Sequence, residues 1–178
     1  MSLTFSATWP NSIEATHVQT GYYGASTAGP LATHGLMGCL AVIVHDPDAH
    51  RGALGHMEPA RDIEQVLGTL LAAAGIGTTD RGRVQIAFIG GAREQAFAET
   101  VSAALVAHGL TAMNVFDGRR LQNPPPDPKW PQIGEPIQGG EGGRAVSYSP
   151  ATGQVQVTNN PLVLPSYKQH GAMVRALP

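Results

Sequence analysis

The sequence predicts an α+β fold, a layered sandwich of largely antiparallel β-sheet with two or three helices packed on it. Short apolar or alternating stretches bounded by turn residues outnumber the helical stretches, which favours more strand than helix. Two segments repeat apolar residues at helical spacing. The 22 glycines and 14 prolines among 178 residues indicate frequent turns. Together these observations predict strands and helices in one α+β arrangement.

Helices are expected at residues 60–74 and 93–108. The first carries an apolar stripe at the i, i+3, i+4, i+7 spacing of an amphipathic helix, and Gly75 is well placed to end it. The second repeats this stripe and stops at Gly109. The stripe of the first helix consists of Ile63, Val66, Leu67, Leu70, Leu71 and Ala74.

Strands are expected in "CLAVIVHD", "RGALGHME", "RVQIAFIGGA" and "LTAMNVFDG", and "RAVSYSPATGQVQVTN" alternates around a turn as a hairpin does. Residues 1–15 read as an irregular lead-in. Residues 122–143 are too rich in proline and glycine for regular structure and are expected to form a long loop. The length of the chain fits a single domain over residues 1–178.

Charge and hydropathy restrict the partners of the protein. The net charge is −2 and no basic cluster occurs, so the electrostatic signature of a nucleic-acid-binding protein is missing. No apolar run approaches the roughly 20 residues of a membrane-spanning helix, and the first residues lack the pattern of a secretory signal. We therefore expect no membrane insertion and a cytoplasmic location, although export without a signal is compatible with the same sequence.

The single cysteine of the chain, Cys39, follows Thr33 by six residues and precedes His56 by seventeen. If residues 39–46 and 49–57 are the arms of a hairpin turning at Pro47–Asp48, Cys39 lies directly opposite His56. Directly opposed residues have Cβ atoms about 4.5–5.5 Å apart, which lets a thiol meet an imidazole. A four-residue turn would still keep both side chains on one face, whereas an odd-length turn or a bulge would separate them.

Such a pair has the chemistry of a nucleophile and its base. Cys39 would be the nucleophile, and His56 would take the thiol proton and later return it to the leaving group. Thr33 could orient the imidazole through its hydroxyl or its backbone carbonyl. The backbone amides of Gly38 and Cys39 are candidates for an oxyanion hole, because glycine permits close approach of backbone to substrate.

Simpler interpretations of the same residues stay open. An unpaired cysteine is often buried and inert, and a lone histidine is often a hydrogen-bonded structural residue. His34, His45 and His50 raise the possibility of a metal site, but no HExxH, CxxC or comparable ligand spacing occurs. We therefore expect neither a metal nor a cofactor.

Several stretches, taken in order, make the chain resemble the CheD-type chemoreceptor glutamine deamidases. The first, "LATHGLMGCLAVIVHDPDAHRGALGHMEP", carries a threonine, a glycine–cysteine turn, an apolar strand ending in aspartate and a glycine-rich return to histidine and proline. Further matches are "RVQIAFIGGA", "ALVAHGLTAMNVFDG" and "GGRAVSYSPATGQVQV", so the resemblance covers about residues 17–157. The family's catalytic threonine, cysteine and histidine fall on Thr33, Cys39 and His56.

The resemblance implies a CheD-like fold and a cysteine-dependent deamidase that acts on glutamine side chains of proteins, with a chemoreceptor or regulatory protein as partner. The chain departs from the family at Gly55, where asparagine is frequent, at Met37–Gly38 before the cysteine, and in the long loop at 122–143. A similar threonine, cysteine and histidine arrangement occurs in toxin deamidases that resemble the cytotoxic necrotizing factors, so the same site is compatible with a different protein substrate.

Two other functions remain compatible with the sequence. A non-catalytic CheD-like regulatory module would keep the fold for partner binding, and Cys39 would then be inert to alkylating reagents at neutral pH. A thiol hydrolase for a small-molecule amide would instead enclose Cys39 in a deep pocket. The exposure of the thiol and its distance from the imidazole distinguish these possibilities from the deamidase.

Overall fold

The computed structural model describes residues 1–6, 14–27, 29–36, 38–90, 95–115, 144–158, 166–167 and 173–178. The loop expected at 122–143 lies outside these residues, and so does Met37. The strands are β1 (Thr4–Ser6), β2 (Glu14–His17), β3 (Tyr22–Ser26), β4 (Leu31–Leu36), β5 (Leu40–Asp46), β6 (Arg51–Met57), β7 (Gln85–Gly90), β8 (Arg144–Ser149), β9 (Gln154–Thr158), β10 (Ser166–Tyr167) and β11 (Met173–Ala176). The helices are α1 (Ile63–Ala73) and α2 (Gln95–Ala107), with 3-10 segments at Thr78–Arg83 and Ala112–Asn114.

The strands form two sheets, which confirms the predicted α+β sandwich. One sheet has the order β1-β9-β8-β4-β2-β10, and the other has the order β11-β3-β6-β5-β7. Every neighbouring pair in the second sheet is antiparallel, whereas the first sheet mixes antiparallel and parallel pairs. The sequence therefore predicted the largely antiparallel character correctly.

The second sheet is covered on both faces, so the protein has three layers. Leu40, Val42 and Val44 of β5 pack into a core that contains the apolar stripes of α1 and α2. Ala41 and Ile43 point the other way, into a core shared with β4, β8 and β9 of the first sheet. This alternation explains why β5 is buried along its whole length. The inner core between the sheets is where the candidate site residues lie.

The hairpin of β5 and β6 has a different register from the expected one. Ala41, not Cys39, lies opposite His56, and Asp46 pairs with Arg51. The turn therefore contains the four residues 47–50. It is longer than expected because the Asp46 carboxylate accepts hydrogen bonds from the backbone N–H groups of Asp48 and Ala49, both at 3.2 Å. His50 closes this turn with a φ of 50°.

Both predicted helices are present with ends close to the expected ones. Helix α1 begins after Asp62, whose carboxylate accepts a hydrogen bond from the N–H of Glu64 at 2.9 Å. Gly75 follows the helix with a φ of 67°, the left-handed conformation that glycine adopts readily. Gly109 follows α2 in the same way, with a φ of 68°. The two helices pack on the face of β5 that carries Val42.

Two local expectations were wrong. The expected strand "LTAMNVFDG" is described only over residues 110–115, where the chain forms a 3-10 segment followed by an isolated bridge between Val115 and Ile86. Asn114 accounts for this, because its side-chain amide donates to the carbonyls of Arg81 and Val84, both at 2.8 Å. Residues 1–15, which were expected to be irregular, contain the strand β1, and this strand pairs in parallel with β9. A three-residue strand is too short to show a period in the sequence.

Candidate functional site

Thr33 and His56 meet between the two sheets. Thr33 belongs to β4 of the first sheet, and His56 belongs to β6 of the second. Both are buried, with exposed fractions of 0% and 1%. The Thr33 Oγ1 atom lies 2.6 Å from Nδ1 of His56. The orienting contact expected from the sequence is therefore present, and it is made by the hydroxyl.

The hydrogen bonds of Thr33 determine which nitrogen of His56 carries the proton. The Thr33 hydroxyl donates its only proton to the backbone carbonyl of Val18, at 2.7 Å. Its oxygen can then only accept at the second contact, so Nδ1 of His56 is the protonated nitrogen. The lone pair of the neutral ring lies on Nε2, which is the arrangement that a general base requires.

A β-bulge next to Thr33 shapes this part of β4. The pairing of β4 with β8 shifts between Thr33 and Leu36. Gly35 lies within the bulge with a φ of 76°, a conformation that side-chain-bearing residues rarely adopt. The bulge ends the regular ladder immediately after Thr33. β4 continues to Leu36, which pairs with Arg144, and the exposed Gly38 and then Cys39 follow this strand in the sequence.

Cys39 precedes β5 and lies on the same side of the second sheet as His56. It packs against the core between the sheets, to which Ala41 also belongs. Because Ala41 is directly opposite His56, Cys39 is the diagonal neighbour of the histidine rather than its direct partner. Diagonal neighbours lie roughly 7–8 Å apart at their Cα atoms and can still be bridged by longer side chains. The cysteine is partly exposed as a residue, at the margin of this core.

The last residue of β7 fixes the backbone of the cysteine. Gly90 pairs with Leu40, and a Cβ atom added at Gly90 would lie 2.5 Å from the carbonyl oxygen of Cys39. Real Cβ atoms do not approach a backbone oxygen so closely. Any side chain at this position would therefore displace the backbone at Cys39 and the start of β5. The close approach explains why glycine occupies the end of the predicted strand "RVQIAFIGG".

Replacing Gly90 with alanine should lower the free energy of unfolding by about 1–3 kcal/mol, the usual range for overpacking a core. Gly38→Ala is the matched control, because a Cβ atom there meets nothing nearer than Pro59, at 4.0 Å. Urea unfolding of both variants measures the difference. Equal unfolding midpoints for the two variants would contradict the close packing of β7 against Cys39.

Burial dominates the electrostatics of His56. Burial, followed by the nearby His34 and His17, lowers the pKa of the imidazole to about 4, whereas Glu58 opposes the shift. His17 and His34 stack on each other with ring centroids 5.0 Å apart. At neutral pH the imidazole of His56 is therefore uncharged and free to accept a proton. The resting site contains a neutral imidazole and not a preformed imidazolium.

The low pKa of His56 predicts a loss of stability in acid. Between pH 6.5 and about 4 the unfolded chain binds a proton at this residue that the folded protein does not bind. Stability is therefore complete above pH 6.5 and falls as the pH drops, by on the order of 3 kcal/mol for this residue. Urea titrations of wild type and His56→Asn at pH 7 and pH 4.5 measure the effect. The wild type should lose more stability than the variant between the two pH values, and equal losses would contradict the account.

The CheD-type family, which the chain resembles, often has asparagine at the position of Gly55. In this protein Gly55 faces away from Thr33 and the His56 ring. A Cβ atom there would lie 3.3 Å from Leu70 of α1. Glycine at this position lets the helix pack closely on β6. Since residues along a strand alternate faces, the residue before His56 points into the helix layer. The departure from the family pattern therefore leaves the environment of the His56 ring unchanged.

The structure places Thr20 beside the site, although no feature of the sequence indicates this. Its Oγ1 lies 3.4 Å from Nε2 of His56. Thr20 is exposed and precedes β3. Only the pairing of β3 with β6 brings it next to the histidine, in a register where Tyr23 lies opposite Gly55. A threonine in a short polar turn carries no sequence signal that would have indicated this contact.

The histidines considered as metal ligands have other partners. Nε2 of His45 lies 2.6 Å from the carbonyl of Met1, and its Nδ1 lies 2.8 Å from the Tyr148 hydroxyl. Nδ1 of His50 lies 3.2 Å from the carbonyl of Ala151. Within the described ranges, no group of three or more histidine, cysteine, aspartate or glutamate side chains could hold a metal ion.

Neither α1 nor α2 is long and apolar enough to cross a membrane, and this finding covers the described residues alone.

The comparison with known proteins assigns the chain to no family. The chain matches no protein-family model, and no curated protein matches it significantly.

Proposed function

We propose that the protein is a cysteine-dependent amidohydrolase, a protein-glutamine deamidase that works through a thioester intermediate. The observation that carries the proposal is the pair of hydrogen bonds of Thr33. They leave the lone pair of His56 on Nε2, in a ring on the same sheet face as the partly exposed Cys39. These observations support roles for Cys39 as nucleophile, His56 as base and Thr33 as orienting residue.

In the first half of the reaction, the sulfur of Cys39 attacks the carbonyl carbon of a carboxamide. The thiol proton passes to Nε2 of His56 as the carbon–sulfur bond forms. The tetrahedral intermediate then collapses. Its carbon–nitrogen bond breaks, His56 returns the proton to the leaving nitrogen, and ammonia departs. A thioester between Cys39 and the substrate remains.

In the second half, water attacks the thioester. His56 takes a proton from this water as the new carbon–oxygen bond forms, and the carbon–sulfur bond then breaks. The proton returns to the sulfur, so the thiol and the neutral imidazole are restored. The overall change is hydrolysis of an amide to a carboxylate and ammonium, with no cofactor consumed.

The negative charge of each tetrahedral intermediate needs hydrogen-bond donors. We assign this role to the backbone amides of Gly38 and Cys39. Gly38 is exposed, and its hydrogen atom in place of a side chain leaves room for the substrate oxygen. Preorganised amide donors of this kind are worth about 2.7–4 kcal/mol each in the transition state.

A protein side chain is the substrate that this site suits best. Gly38 and Thr20 are exposed and Cys39 is partly exposed, which favours an approach from the surface over entry into an enclosed cavity. The resemblance to the CheD-type family points to glutamine, and to a chemoreceptor or a regulatory protein as partner. This role places the protein in the cytoplasm.

The test is incubation of the protein with purified glutamine-containing proteins, including chemoreceptor cytoplasmic domains, while ammonia release is followed. Peptide mass analysis of the substrate should locate glutamine residues converted to glutamate. The same substrate incubated with Cys39→Ser provides the control. Absence of ammonia release from every protein tested, with the thiol intact, would count against deamidase activity.

A further inference from the structure

The ring of His56 must carry a positive charge for part of the proposed reaction. Both ring nitrogens are then N–H donors, in a side chain that is 1% exposed. Leaving a buried donor on a charged ring without a partner carries a large desolvation penalty. Thr33 accepts from Nδ1 in both states of the ring, whereas Nε2 changes from acceptor to donor. A second group beside Nε2 that can follow this change would stabilise the charged ring.

The Thr20 hydroxyl lies 3.4 Å from Nε2 and meets this need. A hydroxyl has one proton and two lone pairs, and it reorients by rotation about a single bond. It can donate to Nε2 in the neutral ring and accept from Nε2 in the protonated ring. The distance is long for a hydrogen bond, but such contacts are often long before substrate binds and tighten in the reacting complex.

The backbone holds Thr20 in this place. The N–H of Gly21 donates to the carbonyl of His56 at 2.9 Å, so the residue after Thr20 is bonded to the histidine itself. Gly21 has a φ of 81°, which permits the sharp turn into β3. Its own carbonyl accepts from the N–H of Leu177 at 2.8 Å. Both backbone polar groups of Gly21 are therefore hydrogen-bonded, which holds the residue next to Thr20 beside His56.

We propose that Thr20 is a positioning residue for His56, and that its hydroxyl changes from donor to acceptor at Nε2 when the imidazole takes the thiol proton. The catalytic part of this inference rests on the proposed deamidase function, whereas the hydrogen-bonding part does not. The other charged or titratable groups that act on the ring are His17, His34 and Glu58. None of them is altered by a change at Thr20.

The experiment compares Thr20→Val, Thr20→Ser and wild type, with Thr78→Val as control. Thr78 is an exposed threonine in the 3-10 segment after α1. NMR titration of the His56 ring nitrogens is the first measurement. Thr20→Val removes the oxygen that accepts a hydrogen bond from the protonated ring. The pKa of His56 should therefore fall by roughly 0.5–1 unit, because the hydrogen bond of Thr20 to the charged ring is stronger than its hydrogen bond to the neutral ring. Thr20→Ser and Thr78→Val should titrate as wild type does.

Turnover of the glutamine substrate is the second measurement. Thr20→Val should lower kcat roughly tenfold with KM unchanged, in proportion to the lost charge-assisted hydrogen bond, and Thr20→Ser should restore it. An unchanged His56 titration in Thr20→Val, or an increase in its kcat, would overturn the inference. If wild type releases no ammonia while the titration shifts as expected, the deamidase proposal fails and the contact of Thr20 with His56 stands.

Discussion

Replacing Cys39 with alanine should abolish ammonia release, with a loss of at least roughly three orders of magnitude in kcat. Removal of a nucleophile that acts together with its base has an effect of this size or larger. The cysteine is partly exposed at the margin of the core between the sheets, so the substitution should change stability by no more than about 1 kcal/mol. Ammonia release and urea unfolding of the same preparation measure the two effects separately.

Cys39→Ser is the informative companion to the alanine variant. It keeps an attacking atom of similar size, but an alcohol holds its proton far more tightly than a thiol does. The buried imidazole, whose pKa is about 4, is too weak a base to activate it. We therefore expect the serine variant to be as inactive as the alanine variant. Ammonia release at the wild-type rate by either folded variant would exclude Cys39 as the nucleophile.

Thr33→Val should cause the second large effect, on both activity and stability. Valine has nearly the shape of threonine, but it leaves the Val18 carbonyl and the Nδ1–H of His56 without their partner. A buried polar group left unpaired typically costs about 1–3 kcal/mol, so unfolding should shift clearly. The ring would also lose the contact that fixes its tautomer, and kcat should fall by roughly 10²–10⁴-fold.

Thr33→Ser separates the loss of the hydroxyl from the loss of packing. Serine retains the oxygen and the proton, so the bonds to Val18 and His56 can form again. Its kcat should return to within about tenfold of wild type, while the missing methyl group lowers stability by on the order of 1 kcal/mol. A serine variant as inactive as the valine variant would show that the hydroxyl does not orient the ring.

The sheet face to which each side chain near Cys39 points could be predicted from the sequence. The pairing register of β5 with β6 could not. The alternation in "CLAVIVHD" correctly separated Ala41 and Ile43 from Leu40 and Val42, because the strand is buried on both faces. The turn was misjudged by two residues. The Asp46 carboxylate, which accepts from the backbone of the turn, is itself held by Arg83 at 2.9 and 3.0 Å, and this contact joins residues distant in the sequence.

The candidate site could be predicted only in part, because contacts between residues distant in the sequence complete it as well. The spacing of Cys39 and His56 within one hairpin gives a local signal, since a turn of even length keeps both on one face. The bond between Thr33 and His56 joins different sheets, so no local pattern indicates it; Thr33 was a candidate because the chemistry requires an orienting group and because of the family resemblance. Val18 and Thr20, which complete the hydrogen bonding, lie in a segment whose position follows from the pairing of β3 with β6. No periodicity in the sequence indicates that pairing.

The most direct test of the central claim, that His56 activates the thiol of Cys39, is covalent labelling by an electrophilic glutamine analogue that carries a chloroketone in place of the carboxamide. Intact-protein and peptide mass analysis at pH 7 would follow labelling of wild type and His56→Asn, with Thr78→Val as a folded control that keeps both residues. We expect rapid labelling at Cys39 in wild type and the control, and labelling at least about tenfold slower in His56→Asn. Equal labelling rates in folded wild type and His56→Asn, or no labelling of Cys39 in wild type, would contradict the account.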